Sequence, residues 1–159
     1  LQTPEYTAAL ARAALTPEDD VERVVAARER RQGTFERQAP PTLTAIIDEA
    51  ALARPATAAS PEVMQAQIRS LLKATENPHI TVQVLPFSTG LHAGTGGPFV
   101  LLDFPDPTDR PIVFLETRHE GLYLEAEHQV TDYRNVLEHL QDTALSPAES
   151  QQHLTRLID

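Results

Sequence analysis

The chain has 159 residues, enough for one domain with a buried core, and 41% of them are hydrophobic, as in an ordinary globular protein. Its formal net charge of -10 argues against a domain that grips nucleic-acid phosphates, because an acidic surface repels the backbone. The absence of cysteine excludes disulfides, thiol nucleophiles and cysteine-bound zinc. No apolar run is long enough to span a bilayer, so we expect a cytoplasmic protein with no membrane contact.

Helix starts are marked by a hydroxyl residue followed by proline. The hydroxyl caps a free N–H group, and the fixed φ of proline suits the first helical position. The four pairs of this kind are Thr3-Pro4, Thr16-Pro17, Ser60-Pro61 and Ser146-Pro147. With apolar residues at helical spacing, the sequence predicts five helices: Pro4 to Leu15, Pro17 to Arg37, Pro61 to Thr75, Glu125 to Thr143 and Pro147 to Leu157.

Strands are predicted where short runs of branched and aromatic residues are bounded by proline, glycine or acids. Between the first two strands, Asp48 to Leu52 is expected to be a turn and Ala56 to Ala59 a loop. Short connections favour antiparallel pairing, and helices segregated from strands indicate an α+β fold. We expect a single domain over residues 1–159, with a mostly antiparallel sheet of four to five strands flanked by about five helices. The predicted strands are Leu43 to Ile47, Ile80 to Leu85, Phe99 to Phe104, Ile112 to Glu116 and Gly121 to Leu124.

A glycine-rich loop with a single histidine separates the second and third predicted strands. It includes Gly90, Gly94, Gly96 and Gly97 around His92. Glycine is favoured where the backbone needs a positive φ or a close approach to another group. The loop therefore predicts a ligand-binding site at His92, Gly90 and Gly94. The alternative is that the imidazole only fixes the loop by bonding to a backbone carbonyl.

Charged residues at strand ends complete the candidate ligand-binding set. Asp48 and Glu49 follow the first strand, and Arg54 is a candidate to pair with Glu49 or with an acidic partner. Glu116 ends an apolar strand, where an unpaired charge is costly to bury. We therefore expect Glu116 to have a partner, with His92 or Arg118 as the candidates.

The sequence contains no recognisable enzyme or metal motif. Phosphate-binding, dinucleotide-binding, nucleophile-elbow and zinc-protease patterns are all missing, and the histidines and acids match no metal-ligand spacing. We therefore predict a protein that is not an enzyme, with no catalytic residue, no metal and no cofactor. The alternative is a small hydrolase-like enzyme in which His92 acts with Glu116 or Asp48.

Several stretches of the chain match one known family in order and spacing. The chain resembles a domain of unknown function, common in actinobacteria, that lies C-terminal to Xre-type helix-turn-helix domains in WhiJ-like regulators. The resemblance covers essentially the whole chain, beginning at Leu1 to Tyr6. The other matching stretches are Val25 to Gln32, Asp48 to Leu52, Val82 to Pro86, Gly90 to Gly94, Gly97 to Phe99 and Leu145 to Ser150.

The resemblance implies a regulatory role and a missing DNA-binding domain. The chain does not begin with Met, so we expect it to be part of a longer protein whose N-terminal helix-turn-helix domain is absent here. DNA would be contacted only through that domain. The partners implied for the present chain are a small-molecule effector or a small partner protein. A ligand-free dimerisation module, forming a homodimer, is the alternative.

Overall fold

The computed structural model describes residues 1–55, 60–118 and 120–158, and the chain divides into two compact units. The first unit comprises Leu1–Phe87 and Leu145–Asp159, and the second comprises Ser88–Ala144. The loop predicted over Ala56 to Ala59 lies outside the described residues, as does His119.

Six α-helices occur in the described residues, and five of them were predicted from the sequence. The additional helix, α3, lies where we expected a turn; Oδ1 of Asp48 accepts the Ala50 N–H at 2.7 Å and so caps its first turn. The second helix is shorter than predicted, because Gly33–Glu36 forms a 3-10 helix. The helices are α1 (Pro4–Ala13), α2 (Glu18–Gln32), α3 (Glu49–Ala53), α4 (Pro61–Ala74), α5 (Glu127–Thr143) and α6 (Pro147–Arg156).

Three of the four predicted N-cap positions are confirmed. Thr3 accepts the Tyr6 N–H at 3.2 Å, and Ser146 caps α6. Ser60 is the N-cap of α4, but its hydroxyl donates to a carboxylate of the first turn and accepts no backbone N–H. The prediction at Thr16 was wrong, because Pro17 itself is the N-cap of α2.

All five predicted strands are present, but the predicted single antiparallel sheet is wrong. The first unit contains a two-stranded parallel sheet and the second a three-stranded antiparallel sheet. The parallel pairing follows from α3 and α4, because a crossover of this kind returns the chain to the same end of the sheet. The strands are β1 (Leu43–Asp48), β2 (Ile80–Leu85), β3 (Val100–Leu102), β4 (Ile112–Glu116) and β5 (Gly121–Leu124).

The core of the first unit lies where α4 and α6 pack on the parallel strands. Val82 and Val84 of β2, Ile68 of α4 and Leu154 of α6 are almost completely buried in one cluster. Burial of side chains of this size stabilises a fold by about 1.5–3 kcal/mol each. Ser150 fixes α6 to the sheet, because its buried hydroxyl accepts the Val84 N–H at 2.9 Å.

The antiparallel sheet of the second unit has one covered and one exposed face. Val113 is fully buried, and helix α5 packs on β3 and β4. Residues directly opposite each other on neighbouring strands share a face, and the register places Val100 and Tyr123 on the same side as Phe114. Val100, Leu102 and Tyr123 are exposed, so this face is both apolar and open to solvent.

Candidate functional site

The glycine loop of the second unit has the backbone that its composition predicts. Gly90 has φ 72° and Gly97 has φ 114°, conformations that side-chain-bearing residues rarely adopt. Gly94 is a position of close approach, because a Cβ there would lie 3.1 Å from Nδ1 of His92. The glycines at these three positions are therefore required by the turn itself.

His92 has a defined structural role within this loop. Its Nδ1 accepts the Gly94 N–H at 3.2 Å and caps the 3-10 helix Ala93–Gly96. The expected link to the backbone is therefore present, but the backbone group is an N–H and not a carbonyl. One ring nitrogen is occupied by this bond. A hydrolase-like role for His92 stays a prediction.

A groove of about 430 Å³ opens beside the glycine loop. One wall comes from the loop, one from the end of β4 and one from α5. This volume lies within the range of small-molecule sites. The lining residues are Ala93, Gly96, Gly97, Pro98, Phe99, Leu115, Glu116, Thr117, Asp132, Tyr133 and Val136.

The groove combines an aromatic pair with two carboxylates. The rings of Phe99 and Tyr133 have centroids 4.9 Å apart and planes tilted by 57°. Glu116 and Asp132 are among its lining residues, and no lysine, arginine or histidine of the described residues lines the groove. The site can therefore hold an apolar body together with a positively charged group.

Glu116 is exposed, so the cost of burial from which we expected a partner does not arise. It is exposed at the end of β4, and among the described residues it has no ion pair with His92 or Arg118. The apolar run of β4 ends at Leu115, and Glu116 follows it as the last residue of the strand. An exposed carboxylate keeps its water and needs no partner.

Asp48, Glu49 and Arg54 belong to the first unit and have separate roles there. Asp48 caps α3, as described above. Oε2 of Glu49 accepts the Phe87 N–H at 2.7 Å, which links the residues that follow β1 and β2. Arg54 is exposed, and no ion pair between Arg54 and Glu49 occurs in the described part of the chain.

The partner of Glu49 is His153, which was not predicted as a site residue from the sequence. Nε2 of His153 lies 3.2 Å from Oε1 of Glu49, and the two side chains are only 17% and 18% exposed. The ring nitrogen is buried and lies off the direction of a hydrogen bond. The two groups are close enough to form an ion pair, and they form one when the imidazole is protonated. No local pattern connects α6 to the end of β1, so only the fold reveals the pair.

The structure thus divides the seven predicted site residues between the two units. Gly90, His92, Gly94 and Glu116 lie in the second unit, and the three charged residues near β1 lie in the first. The groove adds Asp132, Phe99 and Tyr133, which were not among the predicted site residues.

A second groove, of about 490 Å³, lies in the first unit between α1 and α2. Its lining includes small side chains such as Ala8, Ala9 and Ala26 and charged residues such as Arg12 and Glu29.

Neither a metal-binding cluster nor a membrane-spanning helix occurs in the described residues. These residues contain no cluster of three or more side chains suited to hold a metal ion. None of their helices has the length and apolar character needed to cross a membrane.

The structure defines a mixed helix-and-strand protein whose second unit carries a groove of ligand size. The sequence model of one family, described as a domain of unknown function (DUF5753), matches residues 1–156. The chain belongs to this family. No curated protein and no solved structure matches it.

Proposed function

We propose that this chain is a signal-sensing or partner-docking C-terminal domain of an Xre-family helix-turn-helix transcriptional regulator. The stretches that resemble WhiJ-like regulators support the regulatory role. The net charge of -10 supports a division of labour in which a separate domain contacts the DNA. The groove of the second unit supports the sensing role, because its volume is that of a small-molecule site and a glycine loop with positive φ angles forms one of its walls.

A sensing domain must distinguish two conformations of the whole regulator. A ligand changes DNA affinity only when it binds one of those conformations more tightly than the other. The groove is formed by three separate segments: a loop, a strand end and a helix. A ligand that contacts all three can report its presence through their relative positions.

The proposal is tested with the full-length protein and a random DNA library. After several rounds of selection, a regulator enriches a defined sequence and binds it at least about a thousandfold more tightly than unrelated DNA. The salt concentration is held constant between the two DNAs, because phosphate contacts alone vary steeply with salt. Enrichment of no sequence would remove the regulatory proposal.

A homodimerisation role is the second candidate, and the exposed sheet face favours it. Val100, Leu102 and Tyr123 form an apolar patch on the antiparallel sheet, and monomeric proteins rarely leave such patches uncovered. Sedimentation of the full-length protein tests this role. A dimer that Leu102→Glu dissociates, while Leu91→Glu on the exposed loop does not, supports it. A wild-type monomer at high concentration removes it.

A further inference from the structure

Strand β5 forms one edge of the antiparallel sheet in the second unit. It pairs with β4 on one side, and no strand of the described residues pairs with its other side. The N–H and C=O groups on such an edge can pair with another chain. Proteins therefore protect their edge strands with short length, charged residues, proline, bulges or cover by another element.

Of these protections, β5 has only its short length of four residues. The strand contains no charge and no proline, and its register with β4 has no bulge. Helix α5 packs on β3 and β4, whereas β5 packs mainly on β4. Each of the other four strands has a proline close to one of its ends, namely Pro41, Pro86, Pro98 and Pro111. The edge at β5 is therefore the least protected among the strands that the structure describes.

The turn before β5 shows which of its backbone groups face outward. The Thr117 N–H donates to the Glu120 carbonyl at 2.8 Å, so these two residues form a hydrogen-bonded pair. Such pairs alternate with non-bonded pairs along an antiparallel ladder. Leu122 is therefore bonded to β4, and the N–H and C=O groups of Gly121 and Tyr123 point away from it. Among the described residues, neither Gly121 nor Tyr123 has a backbone hydrogen bond to a turn or loop.

The side chains of β5 are apolar and exposed on both faces of the sheet. Leu122 and Tyr123 are neighbours in the strand and so point to opposite faces, and they are 50% and 61% exposed. The Phe114 ring has its centroid 5.0 Å from that of Tyr123 and extends the apolar surface on one face. A strand added at this edge would cover apolar side chains on both faces and would also pair the outward backbone groups.

Acidic residues at both ends of β5 select the charge of the added strand. Glu120 precedes the strand and Glu125 follows it, and both are exposed. At about 3.3 Å per residue, they lie about 17 Å apart along the edge. Glu116, opposite Gly121, adds negative charge at the Glu120 end, and Arg118 offsets part of it. A strand with basic ends is complementary to this edge.

The same charges disfavour a second copy of the chain as the added strand. In antiparallel pairing of two copies, the Glu120 end of one β5 would meet the Glu125 end of the other. Like charges on neighbouring strands are destabilising when they face each other. The complementary strand therefore belongs to a different protein.

We propose that β5 docks an extended segment of a partner protein, which joins the sheet as a fourth strand. The segment has apolar residues at alternate positions of its centre and lysine or arginine at both ends. This inference rests on the partner-docking form of the proposed function. Hydrogen bonds to the backbone of Gly121 and Tyr123 supply affinity, and Glu120 and Glu125 select the basic ends.

The test begins with the full-length protein and a displayed library of random peptides of about seven residues, long enough to span the edge. We expect the enriched peptides to alternate apolar residues and to carry lysine or arginine at both ends. A synthetic peptide of the most enriched sequence should bind with a Kd below about 1 mM in calorimetric titration.

Methylation of the peptide backbone tests the strand pairing. A strand presents alternate N–H groups to each of its two edges. Methylation of one alternate set of nitrogens should therefore weaken binding at least about tenfold, whereas methylation of the other set should be tolerated. Equal effects of the two methylated peptides would exclude pairing at an edge.

Amide hydrogen exchange measured by NMR locates the bound peptide. In the free protein, the Leu122 and Leu124 N–H groups are expected to be protected by β4, whereas those of Gly121 and Tyr123 exchange readily. At about 90% occupancy, the peptide should slow exchange at Gly121 and Tyr123 about tenfold.

Two kinds of variant separate the strand contacts from the charge contacts. Tyr123→Lys places a charge on the edge and should weaken peptide binding at least about tenfold, whereas Val100→Lys, on the opposite edge strand, should not. Glu120→Gln and Glu125→Gln should each weaken binding about two- to fivefold. Glu138→Gln makes the same charge change on α5 and should leave binding unchanged.

Several outcomes would overturn the proposal. These are enrichment of no peptide relative to the Tyr123→Lys protein, enriched peptides without basic ends, unchanged exchange at Gly121 and Tyr123, or equal losses in the variants and their controls. Slower exchange at the same two amides with rising protein concentration alone would assign the edge to a second copy and also reject the proposal. The DNA selection described above is independent of these measurements, so failure of the docking assignment is distinguishable from failure of the regulatory role.

Discussion

Nε2 of His153 lies 3.2 Å from Oε1 of Glu49, and this contact joins helix α6 to the residue that follows strand β1. The other carboxylate oxygen of Glu49 accepts the Phe87 N–H at 2.7 Å. One side chain therefore connects three segments at the carboxyl ends of the two parallel strands. Ligands often bind at that edge in parallel sheets, but here the carboxylate is already engaged by the protein itself.

Loss of the Glu49 carboxylate should destabilise the first unit. Glu49→Ala leaves the Phe87 N–H without its acceptor and removes the carboxylate beside the buried ring nitrogen of His153, and we expect a loss of about 1–3 kcal/mol in the free energy of unfolding. Urea denaturation measures the change. Glu76→Ala, at an exposed position of the same unit, should change the free energy by less than about 0.5 kcal/mol. Equal effects at the two positions would show that the Glu49 contacts do not stabilise the fold.

The positive φ of Gly97 predicts a second difference in stability. Gly97→Ala forces a side chain into a conformation with φ 114° and ψ 171°, and we expect it to cost about 1–3 kcal/mol. Gly96→Ala is the matched control, because its Cβ enters open space without a positive φ, and it should cost less than about 0.5 kcal/mol. Thermal unfolding of both variants provides the comparison. If Gly97→Ala is tolerated as well as Gly96→Ala, the loop conformation described here is wrong.

The capping box of α6 predicts a specific dependence of stability on acid. Hydrogen bonds from the Ser146 hydroxyl and backbone N–H lower the pKa of Glu149 below its ordinary value. Since the folded pKa lies below the unfolded pKa of about 4.3, the contribution is present above that value and is lost as the pH falls through the folded pKa.

Unfolding measured between pH 6 and pH 3 tests this effect, a range chosen to span about a unit and more on either side of the unfolded pKa. Glu149→Gln removes the titrating group, and Ser146→Ala removes the hydroxyl that lowers its pKa. Both variants should lose stability less steeply with falling pH than the wild type. Ser88→Ala, an exposed position in the second unit, should retain the wild-type slope. Identical slopes in all four proteins would contradict the assigned role of the capping box.

The sequence was sufficient to locate the elements but not to pair the strands. Strand β2 was predicted at its observed bounds, because Asn77-Pro78 and Pro86 mark both ends. The parallel pairing was missed because the antiparallel preference of the short connections between later strands was applied to β1 and β2 as well. The predicted helix over Pro61 to Thr75 already separates these two strands, and a connection that contains a helix permits parallel pairing.

The candidate site was predicted only where its signal is local. Glycine at positions 90 and 97 follows from a positive φ, and glycine at position 94 from the close approach of His92 two residues earlier, so a short sequence window contains both signals. The groove depends on how α5 packs against β4, and the pairing of Glu49 with His153 depends on α6. Such contacts join residues that are distant in sequence, and the hydrophobic periodicity that predicts helices and strands gives no information about them.

The central claim, that this chain is the sensing domain of a DNA-binding regulator, is tested most directly by the DNA affinity of the full-length protein. Kd for the selected DNA sequence is measured for the wild type, Gly96→Leu and Gly96→Ala. We predict that filling the groove with leucine changes Kd at least about fivefold, the usual lower range of allosteric coupling, while alanine leaves it unchanged. A protein that prefers no DNA sequence, or a Kd that is the same with the groove open and filled, would contradict the account.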